Sequence, residues 1–209
     1  MGRLTRLARN DEGFTLTELL VAMMVLALAS GVFYSTLASV QKSVVETDIR
    51  TRSNTQARLA LQTIDHEVRS GNVLYDPATS SDPYFRFKIY TQANAGGNPR
   101  PTYTCRLWRI TSSGELQSRW WPPSQPDEAT AWRTEATGIV NKIVATPQHA
   151  FELDPDPNKG GRTVNVVFLL NEDLQQDVSS GTVKIQSALT GRNTSYGFPT
   201  AVCSAEPTD

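Results

Sequence analysis

Residues 13–41 read GFTLTELLVAMMVLALASGVFYSTLASVQ. From Leu19 to Gln41, a run of 23 residues, no side chain carries a charge. About 20 apolar residues suffice to cross the hydrocarbon core of a bilayer. Arg3, Arg6 and Arg9 precede the run, and such a cationic flank is retained in the cytoplasm. The pattern predicts a single membrane-crossing segment, with everything beyond about Lys42 extracytoplasmic. A secretory signal has a shorter core closed by a small-residue cleavage site. Ala27, Ala29 and Ser30 could form such a site, but the apolar pattern continues past them.

The helical character also continues past the membrane edge. From Phe14 to Ser70 there is no proline, and Gly31 is the only glycine. Ala57, Leu61, Ile64 and Val68 recur at the spacing of one helix face. Glu46–Arg50, Asp48–Arg52 and Asp65–Arg69 set an acid four residues before a base. Each such pair adds a few tenths of a kcal/mol to an exposed helix. His66, between Asp65 and Glu67, reads as part of a solvated face. Gly71 and Pro77 then stop the helix. A helix from Phe14 to Ser70 would be about 85 Å long, more than a small domain can bury. Its first half must lie in lipid or against similar helices. Its second half, from about Ala57, must pack on the rest of the chain.

The remainder has the opposite texture. All 12 prolines lie from Pro77 onward, as do the four tryptophans, Trp108, Trp120, Trp121 and Trp132. Short alternating runs predict half-buried antiparallel strands. Tyr84–Thr91 places Phe85, Phe87 and Ile89 on one face. Tyr103, Cys105 and Leu107 alternate likewise, and Ser113-Gly114 can turn that strand back into Glu115–Trp121. Val164, Val166, Phe168 and Leu170 share a face of Thr163–Leu170, and Val183, Ile185 and Leu189 one of Val183–Leu189. Residues 93–101 and 122–130 read as loops. A long helix on an antiparallel sheet is an α+β architecture.

Glu18 stands at the start of the apolar run. A carboxylate inside a membrane helix costs about 2.5–3.5 kcal/mol on insertion scales and usually has a partner; otherwise it snorkels to the interface. The stretch Gly13-Phe14-Thr15-Leu16-Thr17-Glu18-Leu19-Leu20 resembles the cleavage and methylation motif of type IV prepilins and type II secretion pseudopilins, and Met1–Gly13 resembles their short basic leader. Asp11 and Glu12 make the approach to Gly13 less basic than that pattern. The resemblance implies that a membrane prepilin peptidase cuts between Gly13 and Phe14 and methylates the new amino group of Phe14. It implies that Glu18, fifth in the mature chain, pairs with the N-terminal amine of a neighbouring subunit and sets axial register. A pilin-like fold, a long helix with a transmembrane first half on an antiparallel sheet, follows from the same resemblance. Ala57–Ser70 is similar to the end of the first helix in minor pilins of the W kind and pseudopilins of the J kind. Weaker likenesses to this group lie at Leu107–Ile110, at Gly138–Leu153 with an inward Phe151, and at Val183–Asn193.

Other chemistry finds little support. Cys105 and Cys203 exclude a disulfide-rich scaffold and a four-cysteine zinc site. Outside the cytoplasm such a pair commonly oxidises, so a Cys105–Cys203 disulfide is expected; the alternative is two separate buried thiols. Asp154, Asp156 and Asn158 alternate as calcium ligands do, but Lys159 and Asn165 stand where that loop type needs glycine and glutamate. No metal and no cofactor is expected. His66 and His149 lack metal or triad spacing, and no nucleophile, phosphate-loop or zinc-protease motif occurs, so no enzyme is expected. Trp108, Trp120 and Trp121 interleave with Arg106, Arg109 and Arg119, as in surfaces that stack on bases; core or interface packing explains them as simply. The net charge of −1 gives no reason to expect a nucleic-acid partner.

The expected organisation is a leader at 1–13, a transmembrane half-helix at 14–42, an extracytoplasmic half-helix at 43–71 and a β-rich domain at 72–209. The expected function is that of a minor pilin or pseudopilin, a structural subunit of a type IV pilus or secretion pseudopilus. The alternative is a tip-located DNA- or surface-binding pilin. Expected partners are prepilin peptidase, other major and minor pilins or pseudopilins, the inner-membrane assembly platform and membrane lipid. The expected location is the inner membrane, and then the filament.

Overall fold

The structure, a computed structural model, describes residues 15–91, 103–156, 161–171, 182–192 and 201–208. The chain divides into two compact units, Met1–Thr47 and Asp48–Asp209. One helix, α1, runs Leu16–Arg69, as the lack of helix breakers predicts. Its part in the first unit leaves its large apolar side chains exposed, Leu16, Met23, Leu28 and Phe33 among them. It is long and apolar enough to cross a membrane.

In the second unit α1 is amphipathic. Ala57, Ala60, Ile64 and Val68 are buried, with Leu61 packed at the margin. Burial starts at Ser53, one turn before Ala57. Gly71 follows α1 at a point of close approach. A Cβ there would sit 3.0 Å from the Val68 carbonyl oxygen and 3.2 Å from Ile89, so a larger residue would push its neighbours apart by a few tenths of an ångström where helix passes directly into strand.

The expected α+β arrangement of a long helix on antiparallel sheet holds, and its strands form two sheets. β1 (Gly71–Leu74), β2 (Arg86–Thr91), β3 (Thr104–Ile110), β4 (Leu116–Trp121) and β5 (Arg133–Ala136) make a five-stranded sheet in chain order. β6 (Phe151–Leu153), β7 (Thr163–Leu170) and β8 (Val183–Thr190) make a three-stranded one. Both are antiparallel. The β3–β4 hairpin turns through Gly114, whose φ of 78° suits glycine. The break between the sheets falls at 137–150, which crosses between them without strand pairing of its own beyond a single bridge, Ile139 to Leu170. Buried Asn141 stitches that crossing to β7. Its Nδ2 donates to the Val167 carbonyl at 2.9 Å, and its Oδ1 accepts from the Leu169 N–H at 2.9 Å.

The main core lies between α1 and the strands. Phe87, Ile89, Trp108, Ile110 and Leu116 come from the first sheet, and Phe151, Val164, Val166, Phe168 and Leu170 from the second. Burying each such side chain is worth about 1.5–3 kcal/mol. The expectation of half-buried strands is corrected for the first sheet, whose second face is covered too. Tyr90, Cys105, Leu107 and Trp121 form a second apolar cluster with Cys203. Residues 201–208 lie over this face as a strap.

Because the apolar stripe of α1 stays with its sheets, a chain trimmed to start at Lys42 should be soluble, folded and monomeric. Size-exclusion chromatography and circular dichroism check this; aggregation despite native-like expression would contradict the division of the helix.

Candidate assembly site

In the first unit the candidate residue Glu18 stands in the first turn of α1. The Glu18 carboxylate accepts from the Thr15 backbone N–H at 3.2 Å and from the Thr15 hydroxyl at 3.1 Å. The Glu18 N–H donates back to the Thr15 hydroxyl at 3.3 Å. This reciprocal pair is a capping box, T-x-x-E, which satisfies helix N–H groups that have no intrahelical partner. An acid in the first turn also faces the positive end of the helix dipole. Glu18 thus has a local partner, which a reading of charge in lipid alone missed; the signal was Thr15 three residues before it. Gly13 and Phe14 lie outside the described residues.

Residues 8–34 match the family described as Prokaryotic N-terminal methylation motif. The chain carries a prepilin-type methylation motif. The match supports a type IV pilin or pseudopilin processed by prepilin peptidase, and it includes Gly13, Phe14 and Glu18. The motif and the apolar helix are consistent with an inner-membrane anchor. No curated protein and no solved structure matches the chain.

In the second unit Cys105 and Cys203 are joined by a disulfide across a sequence separation of 98, with Cα atoms 5.8 Å apart. It ties the strap to the first sheet, and polar bonds hold the rest. The Cys203 N–H donates to the Tyr75 hydroxyl at 3.0 Å. Glu206 pairs with Lys88 at 2.8 Å and with Arg86 at 3.5 Å. Arg119 donates to the carbonyls of Pro207 and Thr208.

These bonds also account for the interleaved tryptophans and arginines. Trp108 and Trp121 are fully buried. Arg109 and Arg119 lie over the Trp132 ring, at 3.6 Å and 4.2 Å, and Arg109 donates to Gln117. These rings and guanidinium groups are used within the fold, while Trp120 of the same set is half-buried.

Glu67 corrects the reading of a solvated face around His66. His66 is exposed, but Glu67 is only 5% exposed. Its carboxylate lies 2.8 Å from Arg106 Nε on β3 and accepts from the Trp108 indole N–H at 2.7 Å. The available signal was helical phase: Glu67 is three residues after Ile64 and adjacent to Val68. Burial pushes its carboxyl up to about 7 against the pull of Arg106 and Trp108, and nearby Glu135 adds to the rise. Between about pH 4.5 and 7 the folded chain therefore holds a proton at Glu67 that the unfolded chain has released. The unfolded state binds fewer protons there, so stability falls as pH rises through that window and levels above it. The fall attributable to Glu67 is of the order of a few kcal/mol. Denaturant titrations at pH 5 and pH 8 should show it in the wild type and not in Glu67→Gln; identical pH dependence in both would contradict it.

The remaining candidates stay apart. Tyr84 stacks on His149 at 3.6 Å between ring centroids, and His149 lies 3.7 Å from Glu152. The Asp154 carboxylate accepts from the Asp156 N–H at 3.0 Å, the turn expected of such a connection; Asn158, Lys159 and Gly160 lie outside the described residues. Among the described residues no cluster of three or more His, Cys, Asp or Glu could hold a metal ion.

Proposed function

We propose that the chain is a minor pilin or minor pseudopilin that enters a filament, or the complex that initiates one, through its N-terminal helix. Its work is assembly, with no chemistry of its own. The carrying observation is the methylation motif at 8–34 running directly into α1. Residues 1–13 are the leader, removed between Gly13 and Phe14. Residues 14–42 anchor the chain in the inner membrane, residues 43–71 continue the helix outside it, and residues 72–209 form the β-rich domain. Phe14 takes the methyl group. Glu18 sets register with the amine of a neighbouring subunit, leaving its capping box when that stronger, charged partner arrives. A buried carboxylate and a buried ammonium each need a partner, and each subunit supplies one of both. The likeness of Ala57–Ser70 to minor subunits favours a minor role over that of a major, repeating subunit. The internal use of Trp108, Trp121, Arg106 and Arg119 favours assembly over a nucleic-acid-binding tip.

The partners are prepilin peptidase, other pilins or pseudopilins, the inner-membrane assembly platform and lipid. The test is purification of the tagged full-length chain from membranes under mild detergent. Recovery with other methylation-motif subunits is expected. Recovery of the chain alone, from cells whose filaments are intact, would leave only a single-pass anchored domain.

A further inference from the structure

The Cys105–Cys203 disulfide is sealed. Both cysteines are 0% exposed. Tyr90 of β2, Leu107 of β3 and Trp121 of β4 form one apolar cluster with the pair, and Val73 and Val202 pack at its margin. A disulfide is broken or shuffled only when a thiolate reaches one of its sulfurs. In the closed chain both sulfurs are out of reach, so access requires the strap to lift.

The strap is held by polar groups on either side of its apolar residues. The Cys203 N–H donates to the Tyr75 hydroxyl. Three residues on, the Glu206 carboxylate lies between two cations of β2, Lys88 at 2.8 Å and Arg86 at 3.5 Å. Both cations are largely enclosed, with side chains 14% and 10% exposed against 28% for Glu206. Lys88 Nζ also lies 4.7 Å from the centre of the Tyr75 ring, so the ion pair and the Tyr75–Cys203 bond share a neighbour. Beyond Glu206, Arg119 of β4 donates to the Pro207 and Thr208 carbonyls. The hold is ionic at its centre, and its seat is the first sheet.

We propose that residues 201–208 are a lid that gates thiol access to the Cys105–Cys203 disulfide, with Glu206 as its latch. The lid opens locally, while α1 and the two sheets stay folded. In the open state a dithiol reductant attacks one sulfur, forms a mixed disulfide and releases the other as a thiolate. The reductant's second thiol then displaces the first cysteine and closes the reductant's own disulfide. Two electrons and two protons pass to Cys105 and Cys203, which end as thiols. The same lid orders events in the other direction. An oxidising disulfide reaches the two thiols only before the lid closes, and once closed the bond is shielded from exchange. The gate is a property of the globular fold and stands apart from the assembly reading.

The experiment treats the full-length chain, in detergent micelles well below its melting temperature, with dithiothreitol. Released thiols are trapped by alkylation and counted by mass; the chain has two cysteines, so the count is direct. The wild type should reduce slowly. Glu206→Gln keeps the shape of the side chain and removes the charge that two enclosed cations share, and should speed reduction about tenfold. Added salt should speed reduction of the wild type and not of Glu206→Gln. Val166→Ala, a buried change on β7, lowers global stability without touching the lid, and should leave the rate within about twofold. Equal acceleration by Val166→Ala and Glu206→Gln would mean that the disulfide opens only when the whole unit unfolds, and would overturn the lid. A wild-type rate in Glu206→Gln would overturn the latch. Reduction of the wild type as fast as in denaturant would show that nothing seals the bond, and both would fall.

Discussion

Replacing Cys105 and Cys203 together by alanine should lower the melting temperature of the globular unit by about 10–20 °C. The bridge closes a loop of 98 residues. A loop near that size gives about 4–5 kcal/mol in the chain-entropy account, and for a unit of this size each kcal/mol moves the melting temperature by about 2–4 °C. The disulfide also seats the strap on Tyr90, Leu107 and Trp121, so its loss opens an apolar face to water. The Tyr75, Glu206 and Arg119 contacts remain in the variant, which places the outcome toward the lower end of the range. Melting of residues 42–209 by circular dichroism, with and without a thiol reductant, reads it directly. The wild type in reductant should approach the double variant. A double variant melting within about 3 °C of the wild type, a shift of about 1 kcal/mol, would mean that the strap needs no fastening.

Glu18→Val should leave membrane insertion intact, because removing a carboxylate makes insertion easier, yet it should nearly abolish recovery with partner subunits. Breaking a buried ion pair by deleting one member costs about 3–5 kcal/mol, which corresponds to a loss of about a hundredfold or more in association. The capping box provides the control. Glutamine at the same position can still accept from the Thr15 N–H, so Glu18→Gln keeps the helix start and removes the charge. If register depends on charge, Gln and Val should fail alike. If Gln assembles as well as the wild type, Glu18 works as a cap and the pairing account must be withdrawn. Co-purification from membranes at matched abundance is the measurement.

Much of this architecture is local, and the chain states local things plainly. A charge-free run with no helix breaker leaves few options, so α1 and its apolar stripe were legible. Alternation gave β2, β7 and β8 from the faces they turn to the main core, and β3 from Cys105 and Leu107, which lie under the strap. It could not give the second covered face. Apolar residues stand on both faces, Ile89 beside Tyr90 on β2 and Leu107 beside Trp108 on β3, which blurs the alternation, and what covers the outer set is a strap with no periodicity, brought there by Cys203. The division into two sheets was equally hidden, since Asn141 and its neighbours break the ladder without a distinctive pattern. Glu67 was misread because a carboxylate at the margin of a stripe is normally solvated; only Arg106 and Trp108, some forty residues away, make its burial tolerable. At the N-terminus the motif residues are legible as a group, whereas the capping role of Glu18 rests on a local hydrogen bond to Thr15 that a carboxylate's cost in lipid does not reveal.

The central claim is that this chain is a processed filament subunit, and its mature N-terminus tests that most directly. Intact and peptide mass spectrometry of chains recovered from membranes should find them beginning at Phe14, with a methyl group on its amine. Chains still beginning at Met1, or cut at another bond, would contradict the account.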